Sequence, residues 1–390
     1  MPGGFGRDRN KETVLRNRGG TDGTMKFYMP VSVFDEINCV KNHAKELASC
    51  GTKALIVTGR SSAVKCGALA DVRRALEENG CACSVFSDVE ENPSVETVVL
   101  AAEYGLSQKA DFVIGIGGGS PMDAAKAIAF LMKQENPSAS YLYDAGVPTD
   151  YLPVIAVPTT CGTGSEVTGV SVLTNHARKT KGSIPHRIYP SYAFIDGRYL
   201  YQAPHSVIVN TSVDALAHLM ESYLSSNADD YSRYAALSGL DLWSRIRCVL
   251  TGDVQPDAED FARLMRSSTL AGIAIAQTGT SLPHALSYIV TYDTGLAHGP
   301  ACGLFLPGFA AEASPEDQEK MLRAAGFWDV EGLTEFLDKV LQKPAIPGET
   351  LARTFEAVTS APAKMKSCIF HADEETVRRI IAKAGYDLPC

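Results

Sequence analysis

A chain of 390 residues exceeds what one hydrophobic core commonly serves, so two domains are expected. Its 45% hydrophobic and 21% charged residues are those of an ordinary globular protein, and a formal net charge of −9 has the wrong sign for a nucleic-acid surface. No apolar run approaches the ~20 residues of a membrane helix, and the 10 scattered cysteines, without a CxxC pair, read as reduced thiols of a cytoplasmic protein.

Residues 1–24 are rich in Gly and Arg and lack both periodicity and an apolar core, so they read as a flexible tail, not a secretory signal. Lys53–Thr58 is a short apolar run ended by Gly59, which suits a strand buried on both faces. Leu69, Val72 and Leu76 form a helical stripe closed by Gly80. A strand follows at 84–86, and Asn92-Pro93 opens the next helix. Residues 111–116 form a third strand, followed by Gly117-Gly118-Gly119 and a helix from Pro121; strands at 153–157 and 193–195 complete the set. Alternating strands and helices mean right-handed βαβ units and a mostly parallel sheet. Beyond about Pro204 helical patterns take over, at 212–225, 257–277 and 374–384. The expected division is therefore an α/β domain over 25–200 and an all-α domain over 201–390.

Two loops carry the marks of a dinucleotide site. Gly117, Gly118, Gly119 and Ser120, with Asp123 beyond, lie between an apolar strand and a helix. Glycines there let the backbone approach a pyrophosphate, whose charge meets the N–H groups of the helix N-terminus. The segment is not GxGxxG, because Ser120 stands at the third glycine position. After the next strand, Thr159, Thr160 and Thr163 bring hydroxyls into one loop, suited to ribose and phosphate.

Asp214 and His218 are four residues apart in a helical stretch, which puts carboxylate and imidazole on one face a turn apart. His284 and His298 follow in apolar surroundings. Any one of these histidines alone is more often a satisfied core group than a ligand; the joint pattern is what points to a metal. One carboxylate and three imidazoles make a site for Fe²⁺ or Zn²⁺. His43, His176, His205 and His371 have no partner motif.

Together these residues resemble the iron-containing (group III) alcohol dehydrogenase family, which includes butanol, propanediol and lactaldehyde oxidoreductases. The resemblance rests on 117–123, 158–166, Phe194-Ile195-Asp196, the Asp214/His218 pair, and His284 and His298 with the family's spacing. It implies a dinucleotide-binding α/β domain, a helical metal-binding domain and an active site in the cleft between them. It also implies Asp214, His218, His284 and His298 as metal ligands, Lys181 as a basic cofactor contact, a small primary alcohol or aldehyde as substrate, and a homodimer. Two departures stand out. Many NAD-preferring members end the first strand with Asp, where this chain has Gly59 followed by Arg60. Loss of that acid, with Arg60 beside it, favours NADP(H) over NAD(H). Some members carry a histidine four residues after the third ligand, where this chain has Tyr288, the candidate for proton relay. Two rival readings are a metal- and NAD-dependent lyase of the dehydroquinate synthase type and a non-catalytic dinucleotide-binding protein.

Overall fold

Continuous apolar runs have no polar face to turn outward, so they form strands covered on both sides. The computed structural model describes residues 27–134, 136–177 and 180–388, and the tail expected over 1–24 lies outside them. In chain order the strands are β1 (Ser32–Asp35), β2 (Lys53–Thr58), β3 (Ala82–Phe86), β4 (Phe112–Gly117), β5 (Val154–Pro158), β6 (Val172–Asn175), β7 (Thr180–Ser183) and β8 (Tyr192–Ile195). One sheet has the order β1-β8-β5-β4-β2-β3 with every pairing parallel, while β6 and β7 form a separate antiparallel hairpin. Parallel neighbours need crossovers, and α1 (Ala68–Glu78), α2 (Val95–Ser107) and α3 (Gly119–Leu131) supply them. Successive side chains of a strand point to opposite faces. Leu55, Val57 and Val113 accordingly pack with Val98, Ala102 and Ile128, whereas Ala54, Ile56 and Ile114 pack with Val72 and Leu76.

Boundaries differ from expectation where capping decides them. The helix expected at Asn92-Pro93 begins at Val95, because Ser94 is extended and its hydroxyl accepts from Thr97 N at 3.1 Å. The helix expected from Pro121 begins at Gly119, which leaves the proline inside the first turn, where no donor is required. Asp111 stays out of β4, since its carboxylate accepts from Thr52 N and Lys53 N, both at 2.8 Å. Strands β1 and β6, four residues each and only partly buried, give too short a signal to be foreseen.

The chain passes from β2 outward to β3 and then returns to place β4 on the other side of β2. A crevice opens at such a reversal, outside the C-terminal ends of the neighbouring strands. Gly59 follows β2 and Gly117 ends β4, so both expected cofactor positions lie there.

Beyond β8 the named strands cease among the described residues, and helices follow. They include α4 (His205–Tyr223), α5 (Asp230–Ser244), α6 (Ala258–Thr278), α7 (Leu282–Thr294) and α8 (His298–Gly303). From Ser212 to Tyr223 α4 is buried on all sides, as a helix at the centre of a bundle must be. Val213, Leu216, Leu219 and Met220 share a core with Trp243, Leu264 and Leu286, and Trp243 Nε1 donates to Ser212 O at 2.8 Å. No helix among the described residues is long and apolar enough to cross a membrane.

Helix α8 lies directly on α4 because of Gly299: a Cβ there would overlap the Asn210 carbonyl oxygen and press on Asp214 Cβ. Gly299→Ala is therefore expected to destabilise by about 1–3 kcal/mol through overpacking. Urea unfolding should show a lower midpoint with an unchanged m-value.

Candidate metal and dinucleotide site

Three helices converge on one buried cluster. Asp214 and His218 project from α4, His284 from the first turn of α7, and His298 opens α8. Asp214, His218 and His284 are 4%, 6% and 2% exposed, a cost that only close partners can offset. Asp214 Oδ1 lies 3.5 Å from His284 Nε2 and 3.9 Å from His298 Nε2. His218 stacks on His284 with ring centroids 4.4 Å apart, and its Nδ1 is 3.2 Å from Gly162 O. Despite this crowding, Asp214 Oδ1, His284 Nε2 and His298 Nδ1 have no hydrogen-bond partner among the described residues.

The charges divide unevenly. Burial pushes the Asp214 carboxyl up, but His218, His284 and His298 together hold it well below the usual carboxylate range. Burial lowers His218 and brings His298 down to about 3, against the pull of Asp214 in both cases. His284 is the exception: burial opposes its charge, yet Cys302, Glu221 and Asp214 raise it well above the usual imidazole range.

Two members of the cluster escaped sequence reasoning. Cys302 is fully buried, with Sγ 3.9 Å from His298 Nε2; the donor atoms of Asp214, His284, His298 and Cys302 all lie within 4.8 Å of one another. The signal was present, since Cys302 follows His298 by the four residues that separate Asp214 from His218. Glu221 is also fully buried, with Oε1 2.5 Å from His284 Nδ1. It stands seven residues after Asp214, two turns along the same face of α4.

The glycine turn is assembled beside this cluster. Gly117 has φ 150°, and a side chain there would strike Pro121. Thr159 N donates to Gly117 O at 2.8 Å, and a Cβ on Gly118 or Gly119 would fall 3.1 Å from Thr160 Oγ1 or 2.8 Å from Thr163 Cγ2. The threonine loop thus faces the turn, and Thr159 Oγ1 is buried without a partner among the described residues. Ser120 Oγ accepts from Asn92 N at 3.1 Å, while Lys181 Nζ donates to Asn92 Oδ1 at 2.5 Å. Burial lowers the Lys181 ammonium, and the charges of Asp123 and Asp214 oppose that shift.

Asp123 is occupied by the protein itself. Its Oδ1 accepts from Ser165 Oγ at 2.5 Å and faces the fully buried Lys126 Nζ at 3.5 Å; its Oδ2 accepts from Val172 N at 2.9 Å. Lys126 Nζ also donates to Ser165 Oγ at 2.7 Å and Val170 O at 2.8 Å. At the rim, exposed Arg60 lies 3.7 Å from Asp88. Tyr288 is 39% exposed, its ring parallel to that of His298 at 6.1 Å. His186 packs elsewhere, stacked on Phe130 and bonded to Thr149 Oγ1 and Tyr141 O.

Residues 30–197 match the family model for iron-containing alcohol dehydrogenase, and 208–342 match that of the Fe-containing alcohol dehydrogenase family, C-terminal. The chain is 33% identical over 304 residues to long-chain-alcohol dehydrogenase 1 of Geobacillus thermodenitrificans, covering 76% of this chain and 74% of that protein. Among solved structures it is similar to an iron-containing alcohol dehydrogenase from Thermotoga maritima, with TM-score 0.84, 35% identity, and 93% and 100% of the two chains covered. It is also similar to sulfoacetaldehyde reductase from Bifidobacterium kashiwanohense in complex with NAD⁺, with TM-score 0.82, 26% identity, and 93% and 100% covered.

The Asp123–Lys126 contact gives a stability test. Asp123→Ala strips a buried ammonium of its carboxylate and is expected to cost about 3–5 kcal/mol, with Asp123→Asn costing less. A thermal midpoint in Asp123→Ala equal to that of the parent would show that Lys126 does not depend on this acid.

Proposed function

The chain belongs to the iron-containing alcohol dehydrogenase family, and from that premise we propose that it moves a hydride between a nicotinamide dinucleotide and a small primary alcohol or its aldehyde. The observation that carries this reading is the facing pair Asp214 Oδ1 and His284 Nε2, buried 3.5 Å apart without a hydrogen bond. Leaving such atoms unsatisfied costs about 1–3 kcal/mol each, and holding a divalent cation would relieve these residues of that cost.

Asp214, His218, His284 and His298 would hold the ion, with the Cys302 thiol beside them; one acid and several imidazoles suit Fe²⁺ and Zn²⁺ alike. When bound, the cation polarises the oxygen of the alcohol or aldehyde, and the nicotinamide accepts or donates the hydride. The protein's own groups prepare that encounter. Burial keeps His218 and His298 neutral, so their lone pairs are free for ligation. The N–H groups that open α3 after the glycine turn meet pyrophosphate charge, and Thr159, Thr160 and Thr163 line the facing side. Lys181 donates to Asn92, whose N–H meets Ser120 of the turn, and its charge is coupled to Asp123 and Asp214, so it adds positive charge there. Tyr288, half-exposed beside His298, is the group to which we assign proton exchange with solvent.

Gly59 and Arg60 support NADP(H) over NAD(H), because no acid stands at Gly59 to repel a 2′-phosphate and the Arg60 guanidinium is exposed nearby. Asp88 partly neutralises that arginine, so the preference rests on a balance of two exposed charges. The nine described cysteines are all free thiols, which supports a cytoplasmic setting. We divide the chain into a dinucleotide-binding domain over 25–200 and a helical metal-binding domain over 201–390, and take a homodimer from the family resemblance. The lyase reading needs a basic pocket for a phosphorylated, carboxylated substrate, and the sequence over 214–300 shows little basic clustering. A purely dinucleotide-binding protein leaves the buried acid–histidine cluster unexplained.

His284→Ala is expected to lose bound metal and alcohol-dependent reduction of the nicotinamide while keeping dinucleotide affinity; retained turnover would refute the ligand assignment. Because the raised His284 must give up its proton to a metal, cation affinity should fall as pH falls. Arg60→Ala is expected to weaken NADPH binding about tenfold, some 1.4 kcal/mol, and leave NADH unchanged by fluorescence titration; equal effects on both would remove Arg60 from cofactor choice.

A further inference from the structure

We propose that Glu221 is the positioning residue of the metal centre, holding the proton of His284 Nδ1 and the direction of the ring so that Nε2 is the nitrogen offered to a cation beside Asp214. The inference rests on reading Asp214, His218, His284 and His298 as ligands.

Glu221 is wholly buried, and each of its oxygens has a separate partner. Oε1 meets His284 Nδ1 at 2.5 Å, and Oε2 accepts from Ser281 N at 2.5 Å. Ser281 is the N-cap of α7, so its backbone N–H is among the donors that a helix start leaves without an intrahelical partner. The carboxylate thereby grips both the start of α7 and the ring that this helix carries three residues later. A carboxylate only accepts hydrogen bonds. Nδ1 must therefore be a donating nitrogen, so the nitrogen that His284 can free for a cation is Nε2. The other side of the ring agrees: Nε2 lies 3.5 Å from Asp214 Oδ1 and makes no hydrogen bond. The reverse tautomer would turn an N–H toward the acid and block both atoms.

The placement on α4 makes the device economical. Asp214, His218 and Glu221 occupy positions i, i+4 and i+7 of one helix, so a single rigid element carries two ligands and the group that aims a third. Carboxylates behind ligating histidines fix ring orientation and raise ligand basicity.

The test compares Glu221→Gln, Glu221→Asp and His284→Ala in the full chain, stripped of metal by a chelator. In Glu221→Gln the amide oxygen can still accept from Ser281 N, but its NH₂ forces Nδ1 to accept and moves the proton to Nε2. Co²⁺ affinity, read from the d–d absorption of the ion, should weaken about 10- to 100-fold. Dinucleotide affinity should stay as in the parent chain, and Glu221→Asp should recover part of the loss. Long-range ¹H–¹⁵N imidazole spectra of the metal-free parent protein should show His284 protonated at Nδ1, a readout that stands even if the glutamine variant fails to fold. Unchanged Co²⁺ affinity in Glu221→Gln, or a parent His284 whose Nδ1 carries no proton, overturns the proposal. If His284→Ala binds Co²⁺ as tightly as the parent, the ligand reading fails with it; if only Glu221→Gln binds normally, the role of Glu221 alone falls.

Discussion

One buried carboxylate organises this molecule. Asp214 sits at the centre of a helix enclosed on all sides, with three imidazoles around it. A charge so placed is tolerable only with partners at short range, because burial alone would push the carboxyl to its neutral form. The histidines reverse that shift. Their supply from separate helices in turn requires α7 and α8 to pack tightly on α4. The glycine contact at Gly299 and the apolar wall around Val213 and Leu216 serve this end.

The dinucleotide end is joined to that cluster by short contacts. The loop that presents Thr159, Thr160 and Thr163 to the glycine turn also places Gly162 O 3.2 Å from His218 Nδ1. One face of the loop therefore meets the glycine turn and the other the acid–histidine cluster. Asn92 ties Lys181 to Ser120 of the turn, so the residues that would hold a dinucleotide and those that would hold a metal are joined through one loop. Proximity of this kind is worth several kcal/mol of barrier in reactions between two bound partners.

The buried Lys126 explains why the loop holds its shape. Its ammonium joins α3 to Ser165, Val170 and Asp123, and Glu166 beside it reaches Thr269 Oγ1 on α6 at 2.8 Å. A charge without water must have every proton directed at an acceptor. That demand restrains the backbone around it, so Asp123 anchors the loop that faces the glycine turn.

The residue order alone was enough for the central strands, for the change from alternating strands and helices to helices near residue 200, and for the candidates Asp214, His218, His284 and His298. These follow from local physics: apolar periodicity, turn chemistry, and the angular spacing of residues on a helix. The amino-acid order did not disclose β1, whose partner β8 is far along the chain, or the β6–β7 hairpin of two four-residue strands, nor the places of Cys302, Glu221, Asn92 and Lys126. Spacing along a helix determines which residues share a face but says nothing of what that face meets. Cys302 and Glu221 join the cluster because α8 and α7 cross α4 at particular points, and Lys126 is buried because a loop forty residues later folds over it. Such meetings are decided by packing between segments far apart in the chain, a property of the assembled core that no local stretch contains.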